Sequence, residues 1–132
     1  MFSEPTSLTT AGIRVTVGTA YIPEQSDPAS NRYVFAYKIT IVNESLHKVQ
    51  LISRKWLITD GNGKKRIVEG DGVIGQQPII KPGDSHQYIS GCDFKVPIGK
   101  MEGEYFMKRL DDNSSFSVLV PSFMMVAPVI LN

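Results

Sequence analysis

The chain has 132 residues, a normal length for one domain and short for two. Its 42% apolar and 20% charged residues exclude a disordered chain, and a net charge of +1 gives no global field to draw nucleic acid or an anionic membrane. A single cysteine, Cys92, excludes an internal disulfide, and no apolar run approaches the ~20 residues that span a bilayer, so no membrane insertion is expected. Met1 to Thr10 has neither the basic nor the apolar region of a signal peptide, so the chain is read as cytoplasmic.

In chain order, Ile13, Val15 and Val17 alternate with polar neighbours, the mark of a half-buried strand. Pro23 to Asn31 is a polar loop carrying two prolines. Tyr33, Phe35, Tyr37, Ile39 and Ile41 then alternate with Val34, Ala36, Lys38, Thr40 and Val42, a period of two rich in aromatic and β-branched types. A third strand sets Val49, Leu51, Ser53, Lys55 and Leu57 against Gln50, Ile52, Arg54, Trp56 and Ile58, with Trp56 as the expected core plug. Asp60-Gly61-Asn62-Gly63 ends it in a hairpin, Asn and Gly being suited to the positive φ of a primed turn, and Lys64 to Val68 returns. Lys81-Pro82-Gly83-Asp84 is a tight turn, and Asp111-Asp112-Asn113-Ser114 is a hairpin tip. Phe116, Val118 and Val120 form a later strand, and Phe123 to Ala127 the last, followed by a loose tail after Pro128. No stretch has a 3.6-residue period with caps. Seven to nine short strands of uneven length predict an all-β, immunoglobulin-like β-sandwich rather than an up-and-down barrel, as a single domain over 1–132.

The chemistry-bearing residues are few. Gly70-Asp71-Gly72-Val73-Ile74-Gly75 reads G-x-G-x-x-G, a pattern that cradles pyrophosphate where it opens a helix. Here Pro78 biases Gln77 to extended geometry and Asp71 places a negative charge inside the supposed cradle. A glycine-rich turn is therefore expected, with a weak ligand or anion nest as its functional alternative. Lys64-Lys65-Arg66, with Arg54 and Lys55 nearby in the chain, makes a basic patch that either guards a strand edge or meets an acidic partner. His47 and His86 lie far apart and Asp84 adds no complete metal set; Lys64 interrupts the calcium-like start at Asp60. Cys92 has no activating histidine beside it and reads as a small buried hydrophobe. Asp111-Asp112 and Glu102/Glu104 read as solvated charge. No metal, cofactor or catalytic residue is expected. The run Phe123 to Leu131 is a strand buried between sheets or, in a functional reading, a sticky edge for a homodimer.

The run Arg54-Lys55-Trp56-Leu57-Ile58-Thr59-Asp60-Gly61-Asn62-Gly63 resembles the ApaG domain. So do Gly70 to Pro78 followed by Lys81-Pro82-Gly83, then Ser90-Gly91-Cys92, and Gly99-Lys100-Met101-Glu102-Gly103-Glu104-Tyr105. The likeness runs in order from about Thr9 to Ala127, which implies a domain core at about 9–127. It implies a fibronectin-III-like sandwich, a bacterial stand-alone protein and a loose association with cobalt and magnesium efflux. With no membrane segment, that association would be indirect. Similar domains joined to F-box and polymerase-interacting proteins imply a protein-interaction module. Members of the family often carry His between the Arg and the Trp, where this chain has Lys55, which weakens a metal site there. The expected function is a non-enzymatic module contacting an unknown protein partner; the alternative is a binder of a nucleotide or polyphosphate, and a hydrolase of such nucleotides ranks last. The residues expected to bind are Gly70, Asp71, Gly72, Gly75, Gln77 and Pro78 of the glycine segment with Arg54, Lys64, Lys65 and Arg66.

Overall fold

The alternation from Tyr33 onward buries Phe35, Tyr37, Ile39, Ile41 and Asn43 on one face of an eleven-residue strand, and the rest of the chain is layered against that face. The computed structural model describes residues 2–128. Its strands are β1 (Thr6–Thr10), β2 (Ile13–Tyr21), β3 (Tyr33–Asn43), β4 (Val49–Asp60), β5 (Lys65–Asp71), β6 (Ile79–Ile80), β7 (Ser85–Phe94), β8 (Ile98–Arg109) and β9 (Ser115–Val126). Pro23–Gln25 and Pro28–Ser30 form single 3-10 turns, each with proline where a missing N–H costs nothing. One sheet runs β1-β2-β3-β7; the other runs β5-β4-β8-β9, with β6 also on β4. All pairings are antiparallel, and the expected all-β sandwich is the observed one, with nine strands. The tail beyond Pro128 lies outside the described residues.

Trp56, 3% exposed, plugs the space between the sheets. It meets Tyr37 at 5.7 Å, Phe123 at 6.1 Å and Tyr105 at 6.3 Å, all edge to face. Gly103 lies beneath its ring: a Cβ there would stand 2.5 Å from Trp56 Cε3. The one buried polar residue among those described, Asn43, is fully satisfied. Its Nδ2 donates to His47 O (2.7 Å) and Ile80 O (2.9 Å), and its Oδ1 accepts from Ser45 N (3.0 Å) and Ser45 Oγ (2.6 Å).

Three local expectations are corrected. Strict alternation along β4 fails at a bulge between Leu51 and Ser53. Val49 and Leu51 are buried before it, Trp56 and Ile58 after it, so the inward set changes parity. The hairpin at Asp60 is not a primed turn. Gly63 alone among its residues has positive φ (+90°), and Gly63 N donates to Asp60 O (2.8 Å), a type I turn with a glycine bulge. Asn62 instead uses its Oδ1 to accept from Lys64 N (3.0 Å). Finally, the two expected C-terminal strands are one. β9 runs through a second irregularity opposite Met101 to Gly103, which lets Val118, Val120, Phe123 and Met125 all face inward.

Candidate functional site

The sandwich closes differently along its two sides. On one side β1 and β9 approach, and Leu119 N donates to Thr10 Oγ1 (3.3 Å). On the other side the edge strands β5 and β7 diverge and leave a cleft of about 330 Å³. Its lining includes Arg54, Trp56 and Ile58 from β4, Val68 from β5, and Tyr88, Ser90 and Cys92 from β7. The glycine segment, Val73 to Gly75, forms its lip.

The β4 bulge builds this site. By shifting parity it turns Arg54 to the same inward face as Trp56 and Ile58. The carbonyl of Ile52, freed at the bulge, accepts from Gly72 N (2.8 Å) and Gln77 Nε2 (2.9 Å) and so anchors the segment. Arg54 lies across Gly70, its register partner: a Cβ on Gly70 would meet Arg54 Nη1 at 2.9 Å. Arg54 Nη1 donates to Asp71 O (3.2 Å) and Gly72 O (2.9 Å). Among the described residues Nη2 and Nε form no hydrogen bond, so the remaining donors of the fork are available to a bound group.

The segment itself is a miniature hairpin. Val73 N donates to Gln76 O (2.8 Å) and Gln76 N to Val73 O (3.0 Å), with Ile74 (φ +46°) and Gly75 (φ +72°) at the tip, a type I′ turn. Gly72 (φ +61°) allows its approach, since a Cβ there would stand 2.0 Å from Gln76 O. The amides of Gly72, Val73 and Gln76 are thus spent inside the protein, and the carbonyls of Asp71 and Gly72 face a guanidinium. That is the reverse of an anion nest, which turns amides toward the ligand. Gln77 and Pro78 pin the segment to β4: Gln50 Nε2 donates to Gln77 O (3.1 Å) and Leu51 N to Pro78 O (3.1 Å).

Of the remaining expected residues, Arg66 lies on the inward face of β5 and reaches across the cleft. Its Nη2 donates to Asp93 O (2.6 Å) and to Cys92 Sγ (3.3 Å), tying the two edge strands together. Beyond it Lys64, Lys65 and Arg66 line a second cleft of about 230 Å³ with Ile58, Asp60, Asp93 and Lys95. The two clefts share Ile58 and meet at Arg66, so the expected residues fall into two groups along one open side. Asp60 Oδ2 accepts from Lys95 N (3.0 Å), while its buried Oδ1 has no partner among the described residues. The guarding role expected of this patch covers the start of β5 only, since Glu69 and Asp71 follow.

Burial pushes the Tyr37, Tyr88 and Tyr105 hydroxyls up, and Tyr88 and Tyr105 share a hydrogen bond of 2.5 Å. Burial also raises the Cys92 thiol, with Arg66 opposing in part. His47, paired with Asp111 Oδ2 at 2.6 Å, lies with the β8–β9 hairpin, and His86 stands beside Tyr88. Among the described residues no three His, Cys, Asp or Glu side chains are grouped to hold a metal. Sequence reasoning missed Tyr37, Tyr88, Ser90 and Lys95 as cleft residues. The signal for β7 was present in His86, Tyr88, Ser90, Cys92 and Phe94, which share one strand face.

A family model described as ApaG domain matches residues 23–109. Protein ApaG of Brucella canis is 48% identical over 122 residues, covering 92% of this chain and 93% of that protein. Protein ApaG of Vibrio cholerae serotype O1 is 50% identical over 120 residues, covering 91% and 94%. The crystal structure of the ApaA protein of Bordetella pertussis superposes with a TM-score of 0.85 at 43% identity, covering 88% of this chain and 94% of that one.

Proposed function

This chain belongs to the ApaG domain family, and we propose that it works as a non-catalytic binding module that takes an acidic segment of a partner protein into the cleft between β5 and β7. One observation carries this reading: the Arg54 guanidinium is fixed through Nη1 to the carbonyls of Asp71 and Gly72, and its other donors have no partner among the described residues. A held guanidinium with open donors suits a carboxylate, because the planar fork loses little freedom when it binds. Arg66 and the lysines of the adjoining cleft extend the same charge along the open side. Burial raises the tyrosine hydroxyls and the Cys92 thiol and so keeps them as hydrogen-bond donors rather than nucleophiles, which supports binding over catalysis. A contribution to cobalt or magnesium handling would then run through the partner.

The test is capture from a lysate of the source bacterium on immobilised wild type, Arg54→Ala and Arg66→Ala, each checked for folding by circular dichroism. Proteins retained by wild type and released by moderate salt, and missing from the Arg54→Ala column, support the reading. The same set on all three columns rejects the cleft as the contact.

A second reading, a nucleotide or polyphosphate binder, is favoured by Lys64, Lys65, Arg66 and Lys95 around the smaller cleft. Asp60 and Asp93 in that lining work against it. A rise in melting temperature with dinucleoside polyphosphates, abolished by Lys64→Ala/Lys65→Ala, would move the assignment to this reading.

A further inference from the structure

We propose that β5 is a self-pairing edge: two copies of this chain join antiparallel along β5 about Val68, fusing their β5-containing sheets across a twofold axis. The inference is independent of the partner assigned above. Asp60 N donates to Lys64 O (2.8 Å) just before β5, and Gly72 N donates to Ile52 O (2.8 Å) just after it. Both even-numbered residues therefore turn their main chain toward β4. Because strand groups alternate, Lys65, Ile67, Glu69 and Asp71 turn their N–H and C=O outward, and among the described residues β5 pairs with β4 alone. Those four residues are a ready ladder for another strand.

The side chains specify which strand fits. The sequence Lys65-Arg66-Ile67-Val68-Glu69-Gly70-Asp71 is basic before Val68 and acidic after it. Parallel self-pairing in register would set Lys65 on Lys65. Antiparallel pairing centred on Val68 sets Lys65 against Asp71 and Ile67 against Glu69 in both directions, with all four outward residues in hydrogen-bonded positions. Val68 then faces Val68 of the second copy, and the two Ile67 side chains are diagonal neighbours across the axis. Ile67 is 62% exposed and Val68 37% exposed in the single chain, so the pairing covers apolar surface that the fold leaves open. Arg66 comes opposite Gly70, which adds no side chain to displace its guanidinium from Asp93. The register thus satisfies an isologous interface, in which one patch is its own complement.

The other edges lack this pattern. β1 is five residues long and is followed on its far side by the closure with β9. β9 carries Pro121 at its irregularity, which removes a donor from the edge expected in the sequence to be the sticky one. On β7 the carbonyl of Asp93 is already taken by Arg66.

Sedimentation velocity of the full chain from low micromolar to millimolar concentration tests the proposal. Wild type is expected to show a concentration-dependent dimer. Asp71→Lys puts Lys65 and residue 71 in repulsion twice per dimer and is expected to weaken it by about tenfold. The double charge exchange Lys65→Asp/Asp71→Lys is expected to restore it, which a merely misfolded variant would not do. Ile67→Pro removes one outward donor and leaves the β4 ladder intact, so it is expected to abolish the dimer without lowering the melting temperature of the monomer. Met124→Lys, on the outer face of β9, is expected to change nothing. A wild type that stays monomeric throughout, a double exchange that fails to restore association, or a dimer dissolved by Met124→Lys would each overturn the assignment.

Discussion

Ile74 is a β-branched residue held at φ +46° at the first tip position of a type I′ turn, a conformation that costs a residue with a Cβ roughly 1–2 kcal/mol. It is also 59% exposed at the lip of the cleft, so no burial offsets that cost. Strain of this kind, retained where asparagine would sit comfortably, is a reason to look for a contact made by the side chain. Ile74→Asn gives the turn the Asn-Gly pair it favours and is expected to raise stability by about 1 kcal/mol in urea titration while reducing partner capture. Unchanged capture would remove Ile74 from the contact surface. Gly72 and Gly75 separate two effects that sequence alone confounds. Both have positive φ, but only Gly72 also has a backbone oxygen in the position of a Cβ. Gly75→Ala is expected to cost about 1 kcal/mol from φ alone. Gly72→Ala is expected to cost at least twice as much and to free the segment from Ile52, read as faster proteolysis near Gln76. Equal losses would mean that the clash at Gly72 relaxes at no cost.

The elements were legible wherever one face is apolar and the other is not. β3 matched its alternation from Phe35 onward, with Val34 buried as well, and the turns at Lys81 and Asp111 fell where proline, glycine and the aspartates placed them: Asp84 N donates to Lys81 O (3.0 Å) and Arg109 N to Ser114 O (2.8 Å). What alternation could not reveal is the extra residue. An inserted position at Ile52 leaves composition and period intact on either side and reverses which face is inward, and the cleft exists because of it. The glycine segment was legible as a turn, but not the direction of its carbonyls, since that depends on Arg54 arriving from another strand. The β8–β9 hairpin shows the local case, in which sequence suffices. Asp112 Oδ1 accepts from Ser114 N (2.9 Å) and Ser114 Oγ (2.6 Å), and these bonds hold its carboxyl below the usual 3.8. A carboxyl depressed in the folded state stabilises above its unfolded value, and that contribution is lost as pH falls through the folded one. A carbon-detected titration should therefore place the Asp112 midpoint below 3.8 in wild type and closer to it in Ser114→Ala. Equal midpoints in the two proteins would refute the assigned cause.

Across the whole molecule, the sheets are joined mainly by packing, and among the described residues two buried polar contacts bridge them: Asn43 Nδ2 donating to Ile80 O, and a pair of tyrosine hydroxyls. Tyr88 on β7 belongs to one sheet and Tyr105 on β8 to the other, and their hydroxyls meet at 2.5 Å beneath the cleft. Burial keeps both protonated, so the bond is neutral and its worth lies in satisfying two hydroxyls that would otherwise lack partners. The two sides are not equivalent. Tyr105 is fully buried, whereas Tyr88 lines the cleft and can turn to water if its partner is lost. Tyr88→Phe strands the Tyr105 hydroxyl and is expected to cost about 2 kcal/mol. Tyr105→Phe leaves Tyr88 a route to solvent and is expected to cost about 1 kcal/mol or less. The double variant replaces both partners at nearly constant shape, so its loss should fall below the sum of the singles by about 1 kcal/mol in denaturant titrations. Strict additivity would show that the hydroxyls do not couple the sheets. A coupling with the reverse order of single losses would place water at Tyr105 instead, and would mean that the cleft reaches deeper between the sheets than its lining implies.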